Sequence, residues 1–397
     1  MKLFAHFRNV HFRTLGLFLG ALVILVIVAA LVLWGILMPP RNLPPPTGPY
    51  PVGTVSYDLT DFARPDPYAQ VLGNPPGPRA LRVQLWYPAE DIDPGARPLP
   101  WMVDGLRQVQ AIVDTHGFPS FIWNHTVLMN SNSYAVGPDL ELLGAQGPWP
   151  VVLISHGWEG YRGLHADLAE ELASHGYLVA ALEHTYGAAA TLLDDGRLRQ
   201  SSPVVLPARG SSDQFPVLAT RLVQTFADDN RFLLQHLTSV QEGRADQGPS
   251  VLGQLAGTMD LSQVGLVGHS TGGGAMVRLV LDLVDQPLPG VSVAGLVGLD
   301  AWVEPIGEEA LASGSYTIPS LFLRSEQWEG GINDGYLVPF VDSLGTTAEL
   351  EQIEGITHQQ FSTLYMYVPV VQWLGMLGTA DPWEFRDYLR QRVREFF

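Results

Sequence analysis

Between Gln263 and Ala275 the chain reads Gln-Val-Gly-Leu-Val-Gly-His-Ser-Thr-Gly-Gly-Gly-Ala, and no other stretch narrows its possible folds so far. Val264 to Val267 is a short apolar run of the kind that forms a buried strand. It stops at Gly268-His269-Ser270-Thr271-Gly272, and a helical spacing of apolar residues follows (Ala275, Met276, Val277, Leu279, Val280, Leu283). A strand, a sharp turn and a helix with serine at the apex form an elbow that lifts the hydroxyl out of a sheet. The glycines are required because a Cβ beside so tight a turn collides with neighbouring backbone. The helix that follows turns its unpaired N–H groups toward the serine.

The rest of the chain supplies the sheet that such an elbow needs. Pro150 to Ser155 reads as a buried strand leading into His156-Gly157-Trp158-Glu159-Gly160, a helix follows (Leu164, Leu168, Leu172), and Tyr177 to Leu182 is again a strand. That spacing is a parallel crossover unit. Residues 187–213 are an insertion in which Asp195-Gly196 predicts a hairpin. Ala219 to Leu237 is amphipathic with helical period. Strands are expected at Gly295 to Leu299 and Ser320 to Leu323, and Arg82 to Tyr87 alternates as a half-exposed strand. An apolar segment, Leu364 to Leu377, precedes a last helix opened by Asp381-Pro382-Trp383-Glu384, a capping acid with proline at the first position. Together these predict an α/β-hydrolase fold, a mostly parallel sheet with helices on both faces, over residues 54–397.

The N-terminal region has a different character. Leu15 to Met38 is apolar and uncharged, and as a helix it would reach roughly 36 Å, against about 30 Å for a hydrocarbon core. Val28-Ala29-Ala30 would suit a signal cleavage site, but the run continues apolar beyond it. The expectation is a retained anchor at 15–38 with residues 1–14 cytoplasmic, a single-pass protein whose body is extracytoplasmic. Seven prolines between Pro39 and Pro51 suggest a stiff spacer over 39–53. The net charge is −18, and residues 1–40 carry +3 (Lys2, Arg8, Arg13), so the remainder carries −21 (−18 less the +3). A body of that charge repels phosphate backbones, which excludes nucleic acid as an expected partner. With no cysteine and with Lys2 the only lysine, thiolate chemistry, a P-loop and a Schiff-base lysine in the body are excluded too.

In this arrangement the chain order is serine, acid, histidine. Of 11 histidines only His358 lies C-terminal to Ser270, so Ser270 is the expected nucleophile and His358 its base. Asp300, at the end of the Gly295 to Leu299 strand, is the leading acid, with Glu326 and Asp334 as competitors. An oxyanion hole needs backbone N–H groups, and those of Thr271 and Trp158 are the candidates. His156 reads as shaping its loop, and His165, His175 and His184 as structural. The chemistry calls for no metal and no cofactor.

The motifs Ser155-His156-Gly157, Leu172 to Tyr177, Glu183-His184, Gly268 to Gly273, Leu299-Asp300-Ala301-Trp302 and Gly355 to Phe361 resemble those of the platelet-activating factor acetylhydrolase family of serine esterases, over about Arg82 to Phe361. The resemblance implies Asp300 as the acid and an ester, of phospholipids among others, as substrate. Thr271 stands where the family often has an aromatic residue and Trp158 where it has an apolar one, which reshapes the acyl pocket. Trp158 and Trp302 are expected at the mouth of that pocket, favouring short or oxidised acyl groups. A general carboxylesterase or polyester hydrolase on the same fold, and a binding module on an inactive hydrolase fold, are the alternatives.

Overall fold

The computed structural model describes residues 2–37, 43–90, 98–117, 132–137, 147–313, 316–367, 369–372 and 375–397. In chain order the strands are β1 (Val52–Pro65), β2 (Pro78–Pro88), β3 (Pro98–Pro100), β4 (Asn132–Val136), β5 (Trp149–Ser155), β6 (Leu178–Glu183), β7 (Ala190–Leu192), β8 (Leu198–Gln200), β9 (Met259–His269), β10 (Val293–Leu299), β11 (Ser320–Ser325) and β12 (Ala348–Ile353). The helices are α1 (Lys2–Leu37), α2 (Gly105–Thr115), α3 (Ala166–Ser174), α4 (Phe215–Gln241), α5 (Thr271–Asp285), α6 (Glu308–Ser313), α7 (Asp334–Leu344), α8 (Leu364–Tyr367) and α9 (Pro382–Phe396).

Ten strands form one sheet in the order β12-β11-β10-β9-β5-β6-β2-β1-β4-β3. From β12 to β6 all neighbours are parallel, and β2 joins β6 and β1 antiparallel. The central strands are continuous apolar runs because helices cover both faces, as parallel sheets require. Leu153, Leu266, Leu296 and Phe322 pack with α4 and α5 on one face. Ile154, Val267, Leu299 and Leu323 pack with α3 and α9 on the other. The chain runs from β5 outward to β6 and returns to lay β9 on the opposite side of β5. The carboxyl ends of β5 and β9 therefore flank a topological switch point, where open α/β sheets bind ligands.

Two expectations need correction. The strand read from Arg82 to Tyr87 as half exposed is β2, buried without interruption from Leu81 to Ala89. Its polar face is matched rather than solvated: Arg82 pairs with Asp58 at 2.9 Å and Asp104 at 3.0 Å, and Gln84 donates to Thr54 Oγ1 at 3.0 Å. The proline-rich 39–53 segment, expected to stand clear of the body, is docked on it from Leu43 onward. Leu43 is buried, Thr47 N donates to Glu171 Oε2 at 2.8 Å, Tyr50 N to Ser174 O at 3.0 Å, and Arg390 to Pro45 O at 2.7 Å. Pro39, Pro40 and Met38 lie outside the described residues. The insertion carries the expected hairpin, β7 against β8 around Gly196. The Asp381 carboxylate caps α9 by accepting from Trp383 N and Glu384 N. Within α1, Leu17–Trp34 is long and apolar enough to cross a membrane and none of it is buried in the protein.

Candidate active site

Ser270 occupies the elbow between β9 and α5 with φ 56° and ψ −121°. A non-glycine residue in that region costs on the order of 1–3 kcal/mol and persists only where its surroundings over-determine it. Three bonds do so here: Ser270 N donates to Leu299 O at 2.9 Å, while Ser270 O accepts from Trp302 N at 2.9 Å and Gly274 N at 3.1 Å. The flanking glycines are set by close approach. A Cβ on Gly268 would stand 2.4 Å from Gly272 O, and one on Gly272 would stand 2.2 Å from Ser155 O.

The strand register brings the acid alongside. Leu299 is opposite His269 in β9 and Leu323 in β11, so Asp300 leaves β10 level with Ser270. Its carboxylate is buried; Oδ2 accepts from His358 Nδ1 at 3.0 Å and from Ser325 Oγ at 2.5 Å, and Oδ1 accepts from Ser325 N at 2.7 Å. A carboxylate on Nδ1 fixes the tautomer and leaves Nε2 as the proton acceptor. His358 opens a short 3-10 turn whose start is capped reciprocally by Thr357 and Gln360. Its ring is held on one side by Trp328, parallel within 7° at 4.4 Å, and on another by His269 at 4.5 Å. The competing acids are engaged elsewhere: Glu326 accepts from Gly355 N at 2.7 Å, and Asp334 from Arg324 at 2.6 Å. Ser325, Trp328 and His269 escaped the sequence reading, since each meets His358 or Asp300 across the sheet rather than along the chain.

Thr271 is the first residue of α5, so its N–H has no intrahelical acceptor. Trp158 lies in the turn after β5, and among the described residues its N–H donates to no backbone carbonyl. That turn rests on the elbow: a Cβ on Gly157 would come within 2.8 Å of Ser270 Cβ. Trp158, Thr271 and Ser270 line a cavity of about 370 Å³ together with Trp302, Phe215 and Trp328. Trp302 is only 8% exposed, yet it faces this cavity as well as the core, its Nε1–H donating to Glu304 at 3.1 Å. Arg209, from the insertion, closes the rim through a bidentate pair with Glu304.

Of the other histidines that the sequence singles out, His165 and His156 lie near the Ser270, Asp300 and His358 cluster. His165 is buried against His269, and desolvation pushes its pKa down to about 3. His175 meets Glu171 at 3.2 Å beside the docked N-terminal segment. His184 and His156 are buried behind the Trp158 turn.

The chain is similar to known proteins in fold and in sequence. A ferulic acid esterase from Streptomyces cinnamoneus superposes with a TM-score of 0.65 at 24% identity, covering 89% of this chain and 91% of that one, a likeness of fold. The platelet-activating factor acetylhydrolase of Cavia porcellus is 26% identical over 290 residues, 70% of this chain and 62% of that protein. That of Bos taurus is 26% identical over 191 residues, 46% and 41% respectively, so the chain spans less than two thirds of either relative's length. The family model for platelet-activating factor acetylhydrolase, isoform II, matches residues 36–395, from the end of α1 through α9. With nearly all of its folded body inside that match, the chain belongs to the platelet-activating factor acetylhydrolase isoform II family.

Proposed function

We propose that the protein is a serine esterase cleaving short or oxidised acyl esters, those of phospholipids among them, through an acyl-enzyme on Ser270. The observation that carries this reading is the pairing of His358 with the buried Asp300, set one strand from a serine in a strained elbow. His358 Nε2 takes the Ser270 proton as Oγ attacks the acyl carbon, and the oxyanion is received by the N–H groups of Trp158 and Thr271. His358 then protonates the leaving alcohol, and water attacks the acyl-enzyme by the reverse sequence. The first helix is proposed to hold the body at a membrane, on the extracytoplasmic side.

The cavity supports a short acyl group. At about 370 Å³, walled by Trp158, Trp302 and Phe215, it lies at the small end of ligand pockets, roughly 300–1,000 Å³. An open groove would gain about 0.8 kcal/mol per buried methylene and would favour longer chains. Acetyl to butyryl nitrophenyl esters are expected to react fastest, with a steep fall by octanoyl that Trp158→Ala flattens. A fluorophosphonate is expected to label Ser270 alone, and Ser270→Ala to lose on the order of a million-fold in kcat. Labelling that survives Ser270→Ala removes the nucleophile, whereas an optimum at eight carbons or beyond removes only the short pocket.

A further inference from the structure

Behind the Trp158 turn lies a chain of buried polar groups that the reaction itself does not use. Ser155 Oγ stands 2.9 Å from His184 Nε2, and His184 Nδ1 stands 3.0 Å from Asp229 Oδ2. This repeats the connectivity of a serine–histidine–aspartate triad, but all three residues are fully buried and no substrate reaches them. Asp229 also accepts from Arg79 at 2.8 and 3.1 Å and from Arg64 at 2.5 Å, which holds it ionised and keeps its pKa far below the ordinary carboxylate value. An ionised carboxylate only accepts, so His184 Nδ1 carries the proton and Nε2 accepts from Ser155. Phe226 of α4 stacks on the His184 ring at 3.7 Å, which fixes its plane.

The next link reaches the site. The His184 backbone N–H donates to His156 Nε2 at 3.3 Å, and His156 Nδ1 stands 2.6 Å from Gly157 O. A carbonyl oxygen only accepts, so Nδ1 is the protonated nitrogen here too. Gly157 O accepts a second bond from Gly160 N at 3.0 Å. In a trans peptide the C=O and the following N–H point in opposite directions. Holding the Gly157 carbonyl from behind therefore turns the Trp158 N–H the other way, and the Gly157 side of that peptide lies against Ser270.

We infer that His156 is a positioning residue that aims the Trp158 N–H at the oxyanion, through its Nδ1–H bond to Gly157 O, braced by His184, Ser155 and Asp229. The inference rests on Ser270 being the nucleophile. The buried environment suits the role: desolvation holds the His156 pKa well below the ordinary histidine value. A second proton on Nε2 would confront the His184 N–H, so the ring serves as a neutral donor and acceptor in one orientation.

The two amide replacements separate the ring nitrogens. In His156→Asn the side-chain amide nitrogen falls near the place of Nδ1 and keeps the bond to Gly157 O. In His156→Gln it falls near Nε2 and loses that bond. With a short-acyl nitrophenyl ester and sites counted by fluorophosphonate titration, His156→Gln is expected to lose about a hundredfold in kcat, as when an oxyanion donor is lost. Its KM is expected to stay within about twofold, since the loss falls on the transition state. Affinity for an acyl-matched trifluoromethyl ketone, which forms a tetrahedral oxyanion on the serine, is expected to fall by the same factor, while His156→Asn keeps kcat within about tenfold of the parent. Ser155→Ala, a smaller change that tests the brace even if His156→Gln fails to fold, is expected to lower kcat several-fold at unchanged KM. Equal losses in the Asn and Gln variants, or ketone affinity unaffected by His156→Gln, overturn the inference. Wild-type kcat in Ser155→Ala overturns the brace. Activity retained by Ser270→Ala condemns the nucleophile instead.

Discussion

At the residue scale the site depends on what Asp300 receives. Two donors from Ser325 and one from His358 converge on a carboxylate with almost no exposure, and hydrogen bonds to a charged buried group contribute about 1.5–3 kcal/mol each. Asp300→Asn would present an N–H or a neutral oxygen to His358 Nδ1 and favour the wrong tautomer. It is expected to lose roughly ten-thousand-fold in kcat with the fold intact. Glu326→Gln, whose carboxylate accepts from Gly355 N and bonds to neither His358 nor Asp300 among the described residues, is expected to remain within about tenfold of the parent. Steady-state rates of the two variants decide between the acids: an inactive Glu326→Gln beside an active Asp300→Asn would reverse the assignment. The candidates Ser270 and His358 could be named from the elbow and from chain order, whereas order left Asp300 in competition with Glu326 and Asp334 and it was the family resemblance that favoured it. Ser325 could not, since its place beside Asp300 follows from Leu299 lying opposite Leu323, a register that no local pattern encodes. Trp328 was missed for the same reason, though its stacking on His358 fixes the ring of the proposed base.

At the scale of elements, strands buried on both faces are readable as apolar runs and β2, with its matched polar face, as an alternating strand, whereas β12 and β1 escape the sequence reading. β5, β6, β9 and β10 are uninterrupted apolar runs in their inner parts. β12 carries Glu349, Glu351 and Gln352 at the sheet edge, where Arg392 of α9 pairs with both glutamates, so it shows no apolar run and alternates only over Ala348 to Glu351. β1 does alternate, with Val55, Tyr57 and Leu59 buried between Ser56, Asp58 and Thr60, and it escapes the sequence reading although the pattern is there. Composition misled at residues 43–51, where proline suggested a free spacer. Prolines stiffen a chain equally well when it lies against a surface, and here Glu171 of α3 accepts from Thr47 and from Arg390 of α9, knitting the segment to two helices. The segment is therefore expected to carry stability. A chain beginning at Gly48 gives up the burial of Leu43, about 1.5–3 kcal/mol. It also gives up the bonds to Thr47 and Pro45, about 0.5–1.5 kcal/mol each. Thermal melts should place its midpoint several degrees below that of a chain beginning at Leu43. Equal midpoints would mean that the docked segment contributes nothing.

At the scale of the whole molecule, charge and hydrophobicity are divided between the ends of the chain, and that division makes the proposed anchoring testable. α1 is 36 residues long and none of its Leu17–Trp34 stretch is buried, while the residues beyond 40 carry −21, the net −18 less the +3 of the first 40. A surface so acidic is repelled by anionic headgroups, whose field attracts basic segments at about 1 kcal/mol per positive charge and disfavours acidic ones. Adsorption of the body to anionic membranes is thus opposed, and the proposed anchoring rests on the helix. Its Leu, Ile, Phe and Val residues favour insertion by about 0.3–0.6 kcal/mol each at the bilayer centre, and no charge in the stretch opposes them. The full chain is expected to sediment with membranes, to resist release by high salt and by carbonate, and to leave only in detergent. A chain beginning at Leu43 is expected to stay in the supernatant with anionic vesicles at any ionic strength, yet to turn over a water-soluble ester at the full rate. Sequencing the N-terminus of the membrane-bound protein completes the test. Residues from α1 ahead of Leu15 should be present, whereas a mature chain beginning at Leu31 would mean that the helix is a cleaved signal and that the body must reach its substrate without an anchor.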